Sequence, residues 1–102
     1  MEQMALTETT YYILLSLYKP LHGYGIMQRA AELSGGRVRL AAGTLYGALN
    51  ALVEKGWITL LPGEGRKKEY QLTSWGLEVL EKEPARLREL VASGDLVLKE
   101  EA

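Results

Sequence analysis

The chain has 102 residues, of which 47% are hydrophobic, and its formal net charge is −1. This length suits one domain with a modest core, and the near-neutral charge argues against a protein that coats nucleic acid without regard to sequence. The sequence contains no cysteine and one histidine, which excludes disulfides and thiolate metal sites and disfavours zinc chemistry. We therefore predict no metal and no cofactor.

The charges are unevenly distributed along the chain. Residues 23–72 carry seven basic and four acidic side chains, whereas residues 73–102 carry four basic and seven acidic ones. The middle of the chain is thus suited to face a polyanion. The sequence shows no leader pattern and no apolar run near the roughly 20 residues that span a bilayer. We expect a soluble, cytoplasmic protein with no membrane partner.

The first predicted elements are two helices. Apolar residues at 11, 14, 15 and 18 recur at helical spacing and predict a helix over residues 7–18, ended by Lys19 and Pro20. The sequence HGYGIMQRAAEL predicts a second helix with Tyr24, Met27 and Ala31 on one face, and the Ser-Gly-Gly at 34–36 ends it. The alternating RVRL at residues 37–40 is consistent with a very short strand.

A third helix is predicted over residues 42–55. Its apolar stripe consists of Leu45, Leu49, Leu52 and Val53, and Gly56 is expected to end it in a left-handed conformation. Two runs rich in β-branched and aromatic residues, 57–61 and 68–73, then flank the sequence PGEG. This pattern predicts a β-hairpin.

The last predicted helix begins at Thr73 or Ser74 and runs to Ser93 and Gly94. Pro84 interrupts this run and predicts a kink or two helical pieces, and the tail DLVLKEEA is too short to fold alone. The order of helix, helix, short strand, helix, hairpin and helix is the connectivity of a winged helix-turn-helix. The fold class is therefore mainly α with a small β-hairpin. We assign residues 1–73 to a winged helix-turn-helix domain with an N-terminal helix and residues 74–102 to a C-terminal helix and tail.

The third helix has small residues on the face opposite its leucines. Gly43, Gly47 and Asn50 lie on that face, and Thr44 and Tyr46 flank it. Short side chains would let this helix enter a DNA major groove about 12 Å wide. There, Thr44 and Tyr46 could contact phosphate or a thymine methyl, and Asn50 could pair with adenine. Small residues also allow tight packing between two helices, which is the alternative interpretation.

The predicted hairpin carries a basic tip. Arg66, Lys67 and Lys68 follow a glycine-rich turn, and such a tip can follow a phosphate backbone or a minor groove. This feature favours DNA binding by the third helix over tight helix packing. Trp57 is expected to be buried under the hairpin, Trp75 to be half exposed, and His22 to cap or pack at the start of the second helix.

Three segments together resemble a known family. HGYGI at 22–26, GTLYGALNALVEKGWI at 43–58 and GRKKEYQLTSWG at 65–76 resemble successive signatures of the PadR family of transcriptional regulators, and the resemblance covers residues 6–92. It implies a winged helix-turn-helix repressor that dimerises through its C-terminal helix. It also implies that Thr44 and Tyr46 occupy DNA-facing positions and that Arg66, Lys67 and Lys68 form the basic wing.

The chain departs from the family pattern in two places. Family members often have serine-proline before the recognition helix, where this chain has Ala41 and Ala42, so the first amides of that helix lack a side-chain cap worth about 1 kcal/mol. Those amides could bind a phosphate instead. In the short subfamily, some members bind flat aromatic drugs between subunits through a tryptophan well inside the last helix. Here the nearest tryptophan is Trp75 at the helix start, which argues against multidrug sensing.

We therefore expect a homodimeric repressor that reads a pseudo-palindromic operator, with recognition helices about 34 Å apart. A small-molecule effector between the subunits would regulate it. The alternative is a winged-helix protein-interaction module without DNA binding. An enzyme is not expected, because Glu78, Glu81 and Glu83 have no nucleophile or metal nearby and are typical of a solvated helix face. The residues expected at the dimer contact are Leu14, Leu77, Leu80, Leu87 and Leu90.

Overall fold

The structure is a computed structural model that describes residues 5–63 and 65–101, without the side chains of Arg66 and Glu101. Five helical and three extended elements follow one another within these residues. They are α1 (Glu8–Ser16), β1 (Leu21–His22), α2 (Gly23–Leu33), α3 (Ala42–Glu54), β2 (Ile58–Leu60), a 3-10 turn (Gly65–Lys67), β3 (Glu69–Leu72) and α4 (Ser74–Glu101). This architecture confirms the predicted mainly helical fold with a small hairpin.

The first helix begins at a side-chain cap. The Thr7 hydroxyl accepts a hydrogen bond from the Thr10 backbone N–H at 3.1 Å, which satisfies one of the free amides of the first turn. Ile13, Leu14 and Leu17 are buried on the inner side of this segment. The helix thus contributes a hydrophobic face around which the other helices assemble.

The second helix is also capped from the residue before it. The ring nitrogen Nδ1 of His22 accepts a hydrogen bond from the Gly25 N–H at 3.0 Å, so the expectation that His22 caps this helix is confirmed. The predicted face is right only in part: Met27 packs against the core and Ala31 is partly buried, but Tyr24 is 63% exposed, and the fully buried residues are Gly23, Ile26 and Ala30. Both faces contain apolar residues, and α2 packs against α1 and α3, with the Tyr46 ring of α3 against Gly23.

The three strands form one antiparallel sheet in the order β1, β3, β2. β2 and β3 are the predicted hairpin, with Ile58 opposite Leu72 and Leu60 opposite Tyr70. The other edge of β3 pairs with β1, where Leu21 lies opposite Tyr70. The predicted strand at residues 37–40 is wrong: the strand that pairs with β3 on the edge opposite β2 is β1.

Residues 37–40 instead form a loop that leads into α3. The Ser34 hydroxyl accepts a hydrogen bond from the Val38 N–H at 2.8 Å, and Val38 is buried. The alternating pattern therefore reflects a loop that inserts one apolar side chain between exposed arginines.

The third helix contributes the centre of the core. Leu45, Leu49 and Leu52 are buried as predicted, whereas Val53 is 40% exposed and lies outside the stripe. Gly56 adopts a φ of 80° just after the helix, which is the left-handed conformation that favours glycine. The buried core residues are Ile13, Leu14, Leu17, Ile26, Leu45, Leu49, Leu52, Trp57, Ile58, Tyr70 and Leu80.

The last helix is longer than predicted. It continues without a break through Pro84 and Gly94 to Glu101, so the expected end at Ser93 and Gly94 is wrong, as is the alternative of two helical pieces. Two carboxylate contacts hold the turn at the proline: Glu83 accepts hydrogen bonds from Arg86 at 2.6 and 2.8 Å and from the Leu6 N–H at 3.1 Å. The residues after 94 extend a helix that has already formed and need not fold alone.

At about 1.5 Å per residue this helix is about 42 Å long, in a subunit whose extents are 57 × 32 × 20 Å. Its second half therefore projects from the body. In the described ranges no helix has the length and apolar character needed to cross a membrane.

Candidate nucleic-acid interface

The outer face of α3 is exposed and carries short side chains. Because Leu45, Leu49 and Leu52 point into the core, Gly43, Thr44, Gly47 and Asn50 are left on the surface. A Cβ atom added at Gly43 or Gly47 would meet no atom within 4 Å. Packing inside the subunit therefore does not require these glycines, and tight helix packing within one chain does not explain them.

Tyr46 connects α3 to the start of α2. Its side chain is 44% exposed, yet its ring lies against Gly23, where an added Cβ would be 2.8 Å from the ring carbon Cζ. Burial raises the pKa of Tyr70, and the charge of the Tyr46 phenol raises this pKa further. Tyr46 thus has a packing role in addition to the DNA contact predicted for it.

The start of α3 has free backbone donors. Ala41 precedes the helix in an extended conformation and provides no side-chain hydrogen bond, as the sequence predicts. The first amides of a helix carry a partial positive charge and attract anions. This end of α3 can therefore accept a phosphate of a DNA backbone that lies across it.

Arg39 lies two residues before the Ala41 cap, and the sequence pattern alone does not assign it to the site. Its side chain is exposed and its Nε donates a hydrogen bond to the Gly36 carbonyl at 3.0 Å. Arg37, by contrast, forms an ion pair with Glu8. The signal that could identify Arg39 is its short sequence distance from the start of α3, which the strand-like alternation of residues 37–40 obscures.

The hairpin places its lysines on the surface. Lys67 and Lys68 are exposed, and no carboxylate among the described residues pairs with either of them. The backbone of Arg66 lies in the 3-10 turn, but its side chain lies outside the described residues. Gly65 has a φ of 60°, which allows the chain to turn sharply before these cations.

The wing, which is the hairpin of β2 and β3, is connected to both neighbouring helices by hydrogen bonds of Thr73. The Thr73 hydroxyl donates to the Gly56 carbonyl at 2.6 Å and accepts from the Gly76 N–H at 3.0 Å. Trp57 is 3% exposed and Trp75 is 57% exposed, so the expected burial of Trp57 and the half exposure of Trp75 are confirmed, although Trp57 lies near the N-terminal segment and α3. These contacts join the end of α3, the hairpin and the start of α4 into one unit, which holds the wing at a set position beside α3.

The five leucines expected at a dimer contact are in different environments. Leu14 and Leu80 are buried in the subunit's own core, with 0% and 5% exposure, so neither has surface to offer a second copy. Leu77 and Leu87 are partly buried, and Leu90 is 55% exposed. Beyond Leu87 the projecting part of α4 carries further exposed apolar side chains, which are Val91, Leu96, Val97 and Leu98.

The acidic residues of α4 do not all lie on a solvated face. Glu78 and Glu81 are exposed, but Glu83 is 2% exposed, and its hydrogen bonds to Arg86 and Leu6 hold its pKa below the ordinary value. The prediction for Glu83 is wrong, because the N-terminal segment covers this turn of α4. Within residues 5–63 and 65–101, no cluster of three or more histidine and carboxylate side chains could hold a metal.

Comparison with known proteins gives consistent matches. The profile of the transcriptional regulator PadR-like family matches residues 12–82. The chain is 26% identical to a PadR family transcription regulator from Clostridium difficile R20291, with a TM-score of 0.76 and coverage of 90% of this chain and 99% of that one. It is 28% identical to PadR of Bacillus subtilis, solved in complex with operator DNA, with a TM-score of 0.64 and coverage of 78% and 47%.

A relative is also found among curated proteins. An uncharacterized 37.1 kDa protein in transposon TN4556 of Streptomyces fradiae is 44% identical over 64 residues, which are 63% of this chain. The chain spans 18% of the length of that relative.

Proposed function

The chain belongs to the PadR-like family of transcriptional regulators, and from this premise we propose that it is a homodimeric repressor that binds a pseudo-palindromic DNA operator. The family consists of regulators and not of enzymes, in agreement with the sequence prediction. The similarity to the Bacillus subtilis PadR, whose structure contains operator DNA, supports DNA as the partner.

The observation that carries this proposal is the exposed, short-chained face of α3 beside the lysines of the wing. A helix that presents Gly43, Gly47 and Asn50 can approach base edges closely in a major groove. Thr44 and Tyr46 lie at its flanks, where phosphate oxygens would be. The wing cations Arg66, Lys67 and Lys68 then contact the backbone next to the groove.

The homodimer is supported by the projecting part of α4. Leu87, Leu90, Val91, Gly94, Val97 and Leu98 recur at a spacing that places them on one side of a helix. The same side continues the line of Gly76, Leu80 and Glu83, which are buried against the body. A second α4 packed along this stripe would cover apolar side chains that are exposed in the single subunit.

We propose that this dimer presents its two copies of α3 on one side of the assembly. Two-fold symmetric proteins read half-sites about one helical turn, or 34 Å, apart. Repression follows when the dimer occupies a site that overlaps transcription initiation. A small molecule would regulate binding if it favoured a different spacing of the two helices.

DNA from the protein's own upstream region provides the test of this function. We expect the wild-type protein to shift this DNA in a gel and Tyr46→Phe to bind it about 10-fold more weakly, because a hydrogen bond to phosphate is lost. The phenylalanine ring keeps the ring contact with Gly23, but the hydroxyl is the atom of Tyr46 that lies nearest to Gly23, so the stability of the variant must be compared as well. Thermal unfolding of both proteins checks that the fold is unchanged.

The wing is tested by salt dependence. The double variant Lys67→Ala with Lys68→Ala should weaken binding and reduce the slope of log affinity against log salt by about 0.9 for each phosphate that the wing no longer neutralises. Arg88→Ala with Lys99→Ala removes the same charge from exposed positions of α4 and serves as the control. An equal effect of the two double variants contradicts the wing contact. No DNA binding by any of these proteins favours the protein-interaction module.

A further inference from the structure

Gly23, in the HGYGI segment, is a buried glycine at the first position of α2. Among the described residues, the glycines with a positive φ are at 35, 36, 56 and 65, so the backbone at Gly23 does not require a glycine. Glycine is also a poorer helix former than alanine. The reason for a glycine at this position therefore lies in the space around it.

The space beside Gly23 is occupied by the phenol end of Tyr46 from α3. A Cβ atom added at Gly23 would overlap the Tyr46 hydroxyl oxygen and would lie 2.8 Å from Cζ and 3.3 Å from Cε1 of the same ring. The three nearest atoms all belong to this one side chain. A side chain at position 23 and the observed position of the Tyr46 phenol therefore exclude each other.

The Tyr46 side chain, and not the backbone, would yield to a larger residue at position 23. The contacts involve the far end of the ring, which moves when the side-chain torsions of Tyr46 change. The side chain is 44% exposed, so it has open space toward solvent. Restoring an ordinary carbon–carbon separation of about 3.5 Å moves the end of the ring by roughly 1 Å. The fold is then kept, and the hydroxyl group is displaced.

We propose that Gly23 is a positioning residue for DNA binding, which acts by fixing where the Tyr46 hydroxyl lies. This inference rests on the proposed function, because it takes Tyr46 to be a group that contacts DNA. With no side chain at position 23, the phenol lies against the first turn of α2 and is oriented before DNA arrives. A side chain already held in its bound orientation loses less conformational entropy on binding.

A hydrogen bond from Tyr46 to a phosphate is sensitive to a shift of this size. An O–H···O hydrogen bond spans about 2.5–3.0 Å between the two oxygens. A displacement of roughly 1 Å therefore removes the hydroxyl from a phosphate whose position is set by the other contacts of α3 and the wing. The alternative is that Gly23 serves only the packing of α2 against α3, in which case its effect on DNA binding would not depend on Tyr46.

A double-mutant cycle on DNA affinity separates these two roles. The proteins are the wild type, Gly23→Ala, Tyr46→Phe and the double variant, each titrated against DNA from the protein's own upstream region. We expect Gly23→Ala to bind about 10-fold more weakly than the wild type, as Tyr46→Phe does, and the double variant to bind no more weakly than either single variant. Independent effects would instead multiply to about 100-fold.

Gly25→Ala is the matched control for this cycle. It adds the same methyl group in the same turn of α2, where the nearest atoms belong to Leu21 and His22, at 3.2 Å and beyond. Because the added methyl group does not reach Tyr46, the DNA affinity of Gly25→Ala should stay within about twofold of that of the wild type.

Nuclear magnetic resonance of the tyrosine rings tests the position of Tyr46 without DNA. The chain has six tyrosines, and in a tyrosine-labelled sample the ring signals of Tyr46 are those that disappear in Tyr46→Phe. Gly23→Ala should move these signals, whereas Gly25→Ala should leave them in place. Circular dichroism of Gly23→Ala should show the helix content of the wild type.

The proposal is overturned if Gly23→Ala binds DNA as the wild type does, if the effects of the two substitutions multiply, or if Gly25→Ala weakens binding as much as Gly23→Ala. Unmoved Tyr46 signals in Gly23→Ala also overturn it, as does loss of the folded state, because the backbone and not the ring would then have yielded. If the wild type binds no DNA, the proposed function fails and the role in DNA binding fails with it. The ring signals report separately on whether Gly23 positions Tyr46.

Discussion

Gly76 is a position where a single added methyl group would disturb the attachment of the wing to α4. An added Cβ would overlap the Trp57 carbonyl oxygen and lie 2.8 Å from the carbonyl carbon. The obstacle is backbone and cannot rotate away. Gly94, in the projecting part of the same helix, would meet no atom within 4 Å.

We predict opposite effects of alanine at these two glycines. Gly76→Ala should lower the free energy of unfolding by about 3 kcal/mol or more, since helix and strand must separate to admit the methyl group. In the single subunit, Gly94→Ala should raise it by about 0.5–1 kcal/mol, because alanine is the better helix former. Urea unfolding followed by circular dichroism measures both. Equal stability of the two variants would contradict the close approach at Gly76.

Some structural roles of single residues can be predicted from the sequence, and others cannot. Gly56 and His22 act within a few residues of their own position, as a helix end and a helix cap, and both could be predicted. The contact of Tyr46 with Gly23 joins two helices, so neither residue reveals it alone. The DNA contacts of Thr44, Tyr46 and Asn50 remain predictions, although the side chains of all three are exposed.

At the level of elements, Glu83 connects α4 to the N-terminal segment. Its carboxylate receives hydrogen bonds from the Arg86 side chain and from the Leu6 backbone. A charge-assisted hydrogen bond at a buried position is stronger than one on the surface. This connection holds the N-terminal segment against α4.

The connection predicts a defined dependence of stability on pH. Because the pKa of Glu83 is lowered from its ordinary value of 4.5, its contribution is fully present above pH 4.5 and is lost as the pH falls below that value through the folded-state pKa. Glu83→Gln should lower the free energy of unfolding by about 1–3 kcal/mol near neutral pH, and the difference from wild type should shrink in acid.

Urea unfolding between about pH 3 and pH 7 tests this prediction. Glu81→Gln, at an exposed position of the same helix, should change the free energy of unfolding by less than about 0.5 kcal/mol. A difference between wild type and Glu83→Gln that stays constant over this range would show that the carboxylate is not what stabilises the contact.

For the molecule as a whole, the projecting part of α4 leaves apolar side chains exposed, and oligomerisation would bury them. We predict that Leu90→Lys with Leu98→Lys halves the molar mass measured by light scattering, because two charges would have to be desolvated at the contact. Ala92→Lys with Leu96→Lys adds the same charge on the opposite side of the helix and should leave the mass unchanged. Identical masses for the two double variants would exclude the stripe as the contact.

Local interactions explain what the sequence by itself determined. The helical periods, the Gly56 ending, the His22 cap, the hairpin and the short-chained face of α3 depend on residues close together along the chain, which any conformation of the surroundings would preserve. The predicted winged helix-turn-helix follows from these features, the family follows from the resemblance of three segments to its signatures, and both are confirmed.

Only the tertiary structure decided the features that join distant segments. The inward face of α2, the pairing of β1 with β3 and the burial of Glu83 each depend on which surface arrives from another part of the chain. The continuation of α4 through Pro84 coincides with one such contact, the hydrogen bond from Leu6 to Glu83. The periodicity of a segment identifies which of its residues can be buried. The free energy of packing also depends on the segment that packs against it, and the local sequence pattern does not specify that segment.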